Sequence, residues 1–149
     1  MKVREAMTSD PVCCLTTDSA QQVAGILRKL NIGSIPVVTD HESRKLIGII
    51  TDRDLCCSVV AVGLNPQSTP IEQFISANPA TCREDASLDN CEQLMQERQV
   101  RRIPIVDGDG RVIGIVAQAD LALKDKPERV AKTVAEVSRP RSSAPTVAA

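Results

Sequence analysis

The sequence predicts an α+β fold made of two copies of one β-α-β-β-α unit. The decapeptides LIGIITDRDL (residues 46–55) and VIGIVAQADL (residues 112–121) are nearly identical, and IPVV at residues 35–38 recurs as IPIV at residues 103–106. Segments with apolar residues at helical spacing and short β-branched runs also follow one another in the same order in both halves. We therefore expect a duplicated unit that folds as a pseudo-twofold pair.

Each copy opens with a short strand and an amphipathic helix. The strands are expected just after a proline, at residues 12–15 and 80–83. Ser19 and Ser87 then offer the side-chain oxygen that caps a helix start. Apolar residues at helical spacing follow each serine, and they predict the buried face. These positions are Ala20, Val23, Ala24, Leu27 and Leu30 in the first helix and Leu88, Cys91, Leu94 and Met95 in the second.

A hairpin and a closing helix complete each copy. The hairpin strands are predicted at residues 35–39 and 46–50, and at residues 103–106 and 111–116. Turns rich in Asp, Gly or His separate the strands, as hairpins require. The closing helices are expected to begin at Thr51 and at Ala117.

The same signals divide the chain into five segments. They are a first repeat at 1–63, a linker at 64–78, a second repeat at 79–126, a C-terminal helix at 127–137 and a tail at 138–149. The linker carries two prolines, and one short helical turn is expected within it near residues 71–75. Val130, Val134 and Val137 lie at helical spacing and predict a helix that docks on the rest of the protein. The tail is small, polar and Pro-containing, which predicts disorder.

Composition and charge argue against several classes of protein. The net charge is −1 and the pI is about 5.8, which is a poor match to nucleic acid, and Phe74 is the only aromatic residue. The chain has no run of 18 apolar residues and no segment resembling a secretory signal. We expect a cytoplasmic protein that binds neither nucleic acid nor membrane. Its six cysteines would then lie in a reducing compartment, where disulfides are unusual.

Neither a catalytic centre nor an ordinary metal site is visible in the sequence. His41 is the only histidine, and neither a nucleophile-elbow motif nor a P-loop is present. The adjacent cysteine pairs, residues 13–14 and 56–57, do not have zinc-ligand spacing. Cys14, Cys82 and Cys91 fit the role of small buried apolar residues. We expect no enzyme and no metal, and a thiol- or metal-responsive sensor formed across the fold stays open as an alternative.

The most informative motif is GIITDRD, residues 48–54, in which a strand runs into a helix. Thr51 and Asp54 lie three residues apart, so both point the same way from the first helical turn. The free N–H groups there favour an anion such as phosphate, and the carboxylate could accept from two ribose hydroxyls. A glycine at position 48 would let a flat ring approach the strand. The alternative is a capping box that only satisfies the helix, although Asp120 persists in the second copy where Ala117 cannot cap.

These repeats resemble the tandem CBS-domain pair, also called the Bateman module. The resemblance covers about residues 3–123, and GIITDRD matches the nucleotide-site pattern of that family in full. The stand-alone architecture, with GLNP after the third helix and QVRRIPIV in the second copy, is similar to small bacterial CBS-pair proteins of the hypoxic response protein type.

The resemblance implies two clefts, each made from both copies, that bind adenine nucleotides or adenosyl compounds. The first cleft would combine Gly48, Ile50, Thr51 and Asp54 with Ala80, Val100, Arg101 and Arg102. The second would combine Gly114, Val116 and Asp120 with Val12, Ile32, Gly33 and Ser34. Arginine suits bidentate phosphate contacts, so the first cleft is the one equipped for a phosphorylated ligand. In the alternative, the two arginines are solvated or pair with Glu97 or Asp107.

Two functions follow as expectations. The first is a non-catalytic regulatory module that needs no cofactor, binds AMP, ADP or ATP, and signals by a change in conformation or dimer packing. The second is a structural or protein-interaction module whose clefts are vestigial. In both, the apolar residues Leu55, Val59 and Val60 of the third helix would form a homodimer face. No effector domain is fused to the repeats, so a regulated protein would be a separate, unidentified chain.

Overall fold

The computed structural model describes residues 1–140 and contains both predicted units. The first half of the chain forms α1 (Val3–Ala6), β1 (Thr8–Ser9), α2 (Ala20–Leu30), β2 (Ser34–Val38), β3 (Leu46–Thr51) and α3 (Asp52–Leu55), which continues as a π-helical turn at Cys56–Val60. The second half forms a 3-10 turn at Ile71–Phe74, β4 (Ser76–Ala77), β5 (Cys82–Arg83), α4 (Leu88–Arg98), β6 (Arg102–Val106), β7 (Val112–Ala117), α5 (Gln118–Lys124) and α6 (Pro127–Ser138). The predicted α+β class is confirmed.

The two sheets exchange their outermost strands. One sheet has the order β1-β7-β6-β5 and the other the order β2-β3-β4. Strand β1, at the start of the chain, therefore pairs with the second repeat, and β4 pairs with the first. Each half of the molecule is completed by the segment that precedes the other half.

The exchanged segments are equivalent to each other. Val3 and Ile71 are both fully buried, one in the core of each half. Asp10 and Asn78 end the two segments with positive φ angles of 48° and 50°, a conformation that Asp and Asn tolerate better than most residues. Much of the predicted linker 64–78 is therefore the ordered start of a repeat, and it includes the expected helical turn.

Each half has its own core, in which one long helix, α2 or α4, packs on the hairpin beside it together with the exchanged segment and the closing helix. Helix α2 buries Ala20, Val23 and Leu27, as predicted, but Ala24 is exposed and Leu30 is 49% exposed. The predicted apolar stripe is wider than the face that the sheet covers. A third small cluster joins the halves, and it consists of Cys13, Val38 and Val112.

The first strand of the first copy is shorter than predicted. Residues 12–15 make only an isolated parallel bridge between Cys14 and Val37. The Cys14 N–H donates to the Pro36 carbonyl at 3.0 Å, and the Val38 N–H donates to the Cys14 carbonyl at 2.9 Å. The second copy forms a strand at this place, but it covers only Cys82–Arg83 of the predicted residues 80–83.

Helix α6 packs on α4 and α5. Its buried residues are Thr133 and Val137, whereas Val134 is 37% exposed, so the predicted valine face is corrected. No helix within residues 1–140 is long and apolar enough to cross a membrane. The predicted tail begins where α6 ends, and its residues 141–149 lie outside the described part of the chain.

Candidate functional site

A cleft of about 700 Å³ opens where the two halves meet beside the start of α3. The first repeat contributes the end of β3 and the first turn of α3. The second contributes the segment before β5 and the segment that connects α4 to β6. Of the eight residues predicted for the first cleft, the six that line it are Thr51, Asp54, Ala80, Val100, Arg101 and Arg102.

Thr51 and Asp54 form a reciprocal capping box at the start of α3. The Asp54 N–H donates to Thr51 Oγ1 at 3.2 Å, and the Thr51 N–H donates to Asp54 Oδ2 at 2.8 Å. The Thr51 hydroxyl also donates to the same carboxylate oxygen, at 3.0 Å. The structural alternative for this motif is therefore real: both side chains stabilise the helix start.

The capping box leaves part of the motif available for a ligand. All the recorded side-chain bonds of the Asp54 carboxylate use Oδ2, so within residues 1–140 its Oδ1 has no hydrogen-bond partner. In the second copy the Ala117 N–H donates to Asp120 Oδ2 at 2.7 Å, which keeps half of the box without the hydroxyl. Helix capping is thus one reason for an acid at both positions.

Four arginines line the cleft, and none of them makes an ion pair within residues 1–140: Arg53, Arg98, Arg101 and Arg102. Arg101 is exposed and Arg102 is half-buried, and neither makes an ion pair or a side-chain hydrogen bond within residues 1–140. The alternative in which they pair with Glu97 or Asp107 is not observed. The arginines of the lining outnumber its two carboxylates, Asp52 and Asp54, so the cleft carries a local positive charge that favours a phosphate or another anion.

Two residues predicted for the first cleft are placed elsewhere. Ile50 is fully buried in the core of the first half, and its neighbour Ile49 lines the cleft, because side chains alternate along a strand. A side chain at Gly48 would come within 2.9 Å of Ile75 Cδ1 and 3.0 Å of the Ser76 carbonyl oxygen. The missing side chain at Gly48 therefore makes room for strand β4, which crosses at this point, and not for a ligand ring.

The predicted second cleft is more obstructed. A side chain at Gly33 would overlap the guanidinium of Arg102, so this arginine lies on the glycine of the opposite repeat. A side chain at Gly114 would overlap the Met7 sulfur, which repeats the crossing seen at Gly48. The other predicted residues vary in exposure: Val116 and Ser34 are buried, Val12 and Asp120 are half-buried and Ile32 is 38% exposed.

Some cleft residues were not predicted from the sequence. Arg98 and Gln99 end α4 on the rim of the cleft, and Val137 reaches it from α6. The Gln99 side chain donates to the Arg139 carbonyl oxygen at 2.8 Å and to the Glu136 carbonyl oxygen at 3.4 Å. Gln99 is the first residue of QVRRIPIV and lies at a helix end, so the sequence could have indicated its place in the cleft. The approach of Val137 depends on how α6 docks.

The cysteines do not form a metal site in the described residues. Cys13, Cys14 and Cys91 are buried, Cys82 is half-buried rather than fully buried, and the remaining two are exposed. All six are free, and burial raises the pKa of the Cys14 thiol to about 12, which makes it unreactive. Among residues 1–140, no group of three or more His, Cys, Asp or Glu side chains could hold a metal ion.

Comparison with known proteins gives one family. The CBS domain model matches residues 3–60 and 71–125. Both matches begin at the exchanged segments, at Val3 and Ile71. The chain is 35% identical over 138 residues to the uncharacterized protein YlbB of Bacillus subtilis, covering 92% of this chain and 91% of YlbB.

Two solved structures are similar in fold and sequence. One is hypoxic response protein I with two coordinated zinc ions, with a TM-score of 0.74, 29% identity and coverage of 85% of this chain and 100% of that one. Hypoxic response protein 1 of Mycobacterium tuberculosis is also 29% identical over 119 residues, covering 80% of this chain and 81% of that protein. The other structure is the CBS domain pair of protein MJ0100 in complex with 5′-methylthioadenosine and S-adenosyl-L-methionine, with a TM-score of 0.73, 29% identity and coverage of 83% and 98%.

Proposed function

Because the chain belongs to the CBS domain family and carries the domain as a tandem pair, we propose that it is a non-catalytic regulatory module that binds an adenine nucleotide in the first cleft. One observation carries the proposal: the cleft joins Thr51 and Asp54 of one repeat to the unpaired Arg101 and Arg102 of the other. The adenosyl ligands in the similar pair from MJ0100 support an adenosyl group as the part recognised.

Each side chain has a defined role in this proposal. Asp54 Oδ1 accepts from the ribose hydroxyls, while Oδ2 stays in the capping box. The Thr51 hydroxyl turns its proton from Asp54 Oδ2 to a phosphate oxygen, while the Thr51 N–H keeps its bond to Oδ2. The two guanidinium groups also contact the phosphate and supply the charge and the bidentate geometry. The apolar side chains of Ile49 and Val100 contact the base in place of aromatic residues. No cofactor is required.

Signalling follows from where the cleft lies. A ligand that touches both repeats favours the arrangement of the two halves that it fits best, since it can shift an equilibrium only by its differential affinity for the two states. We propose that the protein acts in the cytoplasm on a separate regulated protein. We also propose that it forms a homodimer through the exposed apolar residues of the π-helical turn at Cys56–Val60 and just after it.

Thermal unfolding with AMP, ADP, ATP, 5′-methylthioadenosine and S-adenosylmethionine tests the ligand class. A ligand at 100 times its dissociation constant stabilises the fold by about 2.7 kcal/mol. For a chain of this length the midpoint then rises by about 5–10 °C. If none of the five ligands raises the midpoint of the wild type, the nucleotide proposal is wrong.

The variant for this test is Arg101→Ala/Arg102→Ala, because neither side chain has a partner whose loss would disturb the fold. We expect AMP to bind this variant about tenfold or more weakly, since hydrogen bonds to charged groups are lost, while adenosine binds nearly as before. Arg28→Ala, an exposed arginine of α2 outside the cleft lining, is the matched control and should bind both ligands normally. Equal losses for AMP and adenosine would exclude a phosphate role for the two arginines.

A further inference from the structure

Beneath α6 lies a buried carboxyl pair. Glu92 on α4 is 3% exposed, and the Asp125 side chain, in the connector between α5 and α6, is 8% exposed. Glu92 Oε1 and Asp125 Oδ2 are both buried without a hydrogen-bond partner of their own within residues 1–140. The two side chains are close enough for one carboxyl group to donate to the other. Two ionised carboxylates in this arrangement would repel each other in a site with little water.

One arginine of α6 supplies most of the compensating charge. Arg129 Nη2 lies 2.7 Å from Glu92 Oε2, and its Nε lies 3.4 Å from Asp125 Oδ2. The same Nη2 also pairs with Asp89. A single guanidinium thus faces three carboxyl groups, and its charge cannot neutralise all of them if they are all ionised. The other charged groups around the pair are Lys126 of the connector and Lys132 of α6. Helix α1 also packs on α4, and its charged side chains make no ion pair with Glu92.

We propose that Glu92 and Asp125 share one proton and that release of this proton loosens the docking of α6. The shared proton would leave the pair with a single negative charge opposite Arg129. After its release, two buried charges and Asp89 face one guanidinium.

The pKa directions agree with this arrangement. Burial raises the pKa of Glu92, with the neighbouring Asp125 adding to the rise and Arg129 opposing it. Burial alone would raise the pKa of Asp125 as well, but the Lys126 N–H, the Glu92 carboxyl and Arg129 together lower it. Glu92 therefore holds the proton. The stability that the Glu92 proton contributes is complete below the ordinary pKa of a glutamate and is lost as the pH rises through the raised pKa of Glu92. The stability that ionised Asp125 contributes is lost as the pH falls through the lowered pKa of Asp125.

The loosening would reach the first cleft. Val137 of α6 forms part of the cleft wall, and Gln99 on the rim is bonded to the last turn of this helix. Proton release at one end of α6 therefore weakens the wall at the other end. This last step rests on the proposed function, because it concerns ligand binding in that cleft, while docking of α6 does not.

Hydrogen exchange of the α6 amides as a function of pH tests the shared proton without any ligand. After correction for the intrinsic exchange rate, we expect opening of α6 to increase by up to about tenfold per unit of pH between the ordinary and the raised pKa of Glu92. Glu92→Gln places a neutral side chain of the same shape there and should abolish this slope. Glu97→Gln, the same change at an exposed position of the same helix, should retain it. Should Glu92→Gln fail to fold, Asp125→Asn removes one charge of the pair by another route.

Two results would overturn the proposal. One is a wild-type protein whose α6 protection does not depend on pH, and the other is a Glu92→Gln protein with the slope of the wild type. Binding of AMP, measured over the same pH range, tests the coupling separately. If AMP binds but its affinity does not follow the opening of α6, the coupling fails while the nucleotide site stands. If AMP does not bind at any pH, the proposed function fails while the exchange result stands on its own.

Discussion

The hydroxyl of Thr51 has two roles that the sequence alone could not separate. It accepts from the Asp54 N–H and donates to the Asp54 carboxylate, so its removal costs the cap, about 1 kcal/mol, before any ligand is considered. A Thr51→Ala protein would therefore lose helix stability and ligand contacts together. Arg101 and Arg102 make no such internal bonds, which is why they are the cleaner positions for testing the site.

Glycine 48 gives a prediction at the same scale. Gly48→Ala should destabilise the fold by about 1–3 kcal/mol, because the new methyl group meets the Ser76 backbone oxygen, which cannot move without disturbing β4. Urea unfolding measures the effect.

Gly25→Ala is the matched control. Gly25 lies on the exposed side of α2 with no other atom within 4 Å of the added carbon, so this change should stabilise the protein by about 0.5–1 kcal/mol. Equal effects of the two changes would mean that β4 does not cross at Gly48.

At the scale of one element, α6 shows how a periodic pattern can select the right helix and the wrong face. The pattern gave equal weight to Val134 and Val137, yet the buried positions include Thr133 instead of Val134. Helix α4 presents Gln96 at this point, and the Gln96 amide donates to the Thr133 hydroxyl at 2.9 Å. A polar residue can be buried where a hydrogen-bond partner is present, and here that partner lies far away in the sequence.

The exposure of the third-helix residues corrects the predicted dimer face. Leu55 is 8% exposed and Val59 is 2% exposed, so both belong to the core of the first half. The large apolar residues that remain on the surface of the π-helical turn and after it are Val60, at 72% exposure, Val62, at 66%, and Leu64, at 42%. The proposed homodimer must use these residues.

A charge at position 60 tests this proposal. Val60→Asp should shift the protein from dimer to monomer in light scattering behind size-exclusion chromatography, because a carboxylate buried at an interface loses its hydration. Leu123→Asp, at an exposed apolar residue of α5, should leave the dimer intact. A monomeric wild type, or a Val60→Asp protein that remains dimeric, would show that this surface is not the interface.

For the whole molecule, the exchange of the segments that open each repeat makes the two halves interdependent. The N-terminal segment opens the first repeat in the sequence, yet the Val3 N–H donates to the Ala86 carbonyl oxygen at 3.0 Å and the Val3 side chain packs in the second core. Neither half contains all of its own core residues, so we expect the pair to unfold together.

Val3→Asp tests this interdependence. A charge in the second core should destabilise the protein by more than about 2 kcal/mol and should first reduce hydrogen-exchange protection in β6 and β7, far along the chain. Ile71→Asp should do the same to β2 and β3 of the first half.

Arg4→Asp, at the exposed neighbour of Val3, is the control and should change little. Loss of protection in β2 for Val3→Asp, with β6 unaffected, would contradict the exchanged arrangement.

The sequence by itself determined the duplication and the order of the elements, and it predicted six of the residues that line the first cleft. These properties are local, because a β-branched run, a capping serine and apolar spacing indicate which side chains avoid water and where a helix starts. The recurrence of GIITDRD and its altered copy also indicated which cleft carries the hydroxyl.

Only the tertiary structure decided which surfaces meet. Val3 and Ile71 look alike in the sequence, and nothing local says that each belongs to the opposite half. The crossing of β4 at Gly48, the buried pair of Glu92 and Asp125, and the reach of Val137 to the cleft likewise depend on partners far away in the chain. Periodicity records how far a side chain is removed from water, whereas the identity of its neighbour is fixed only when the elements pack.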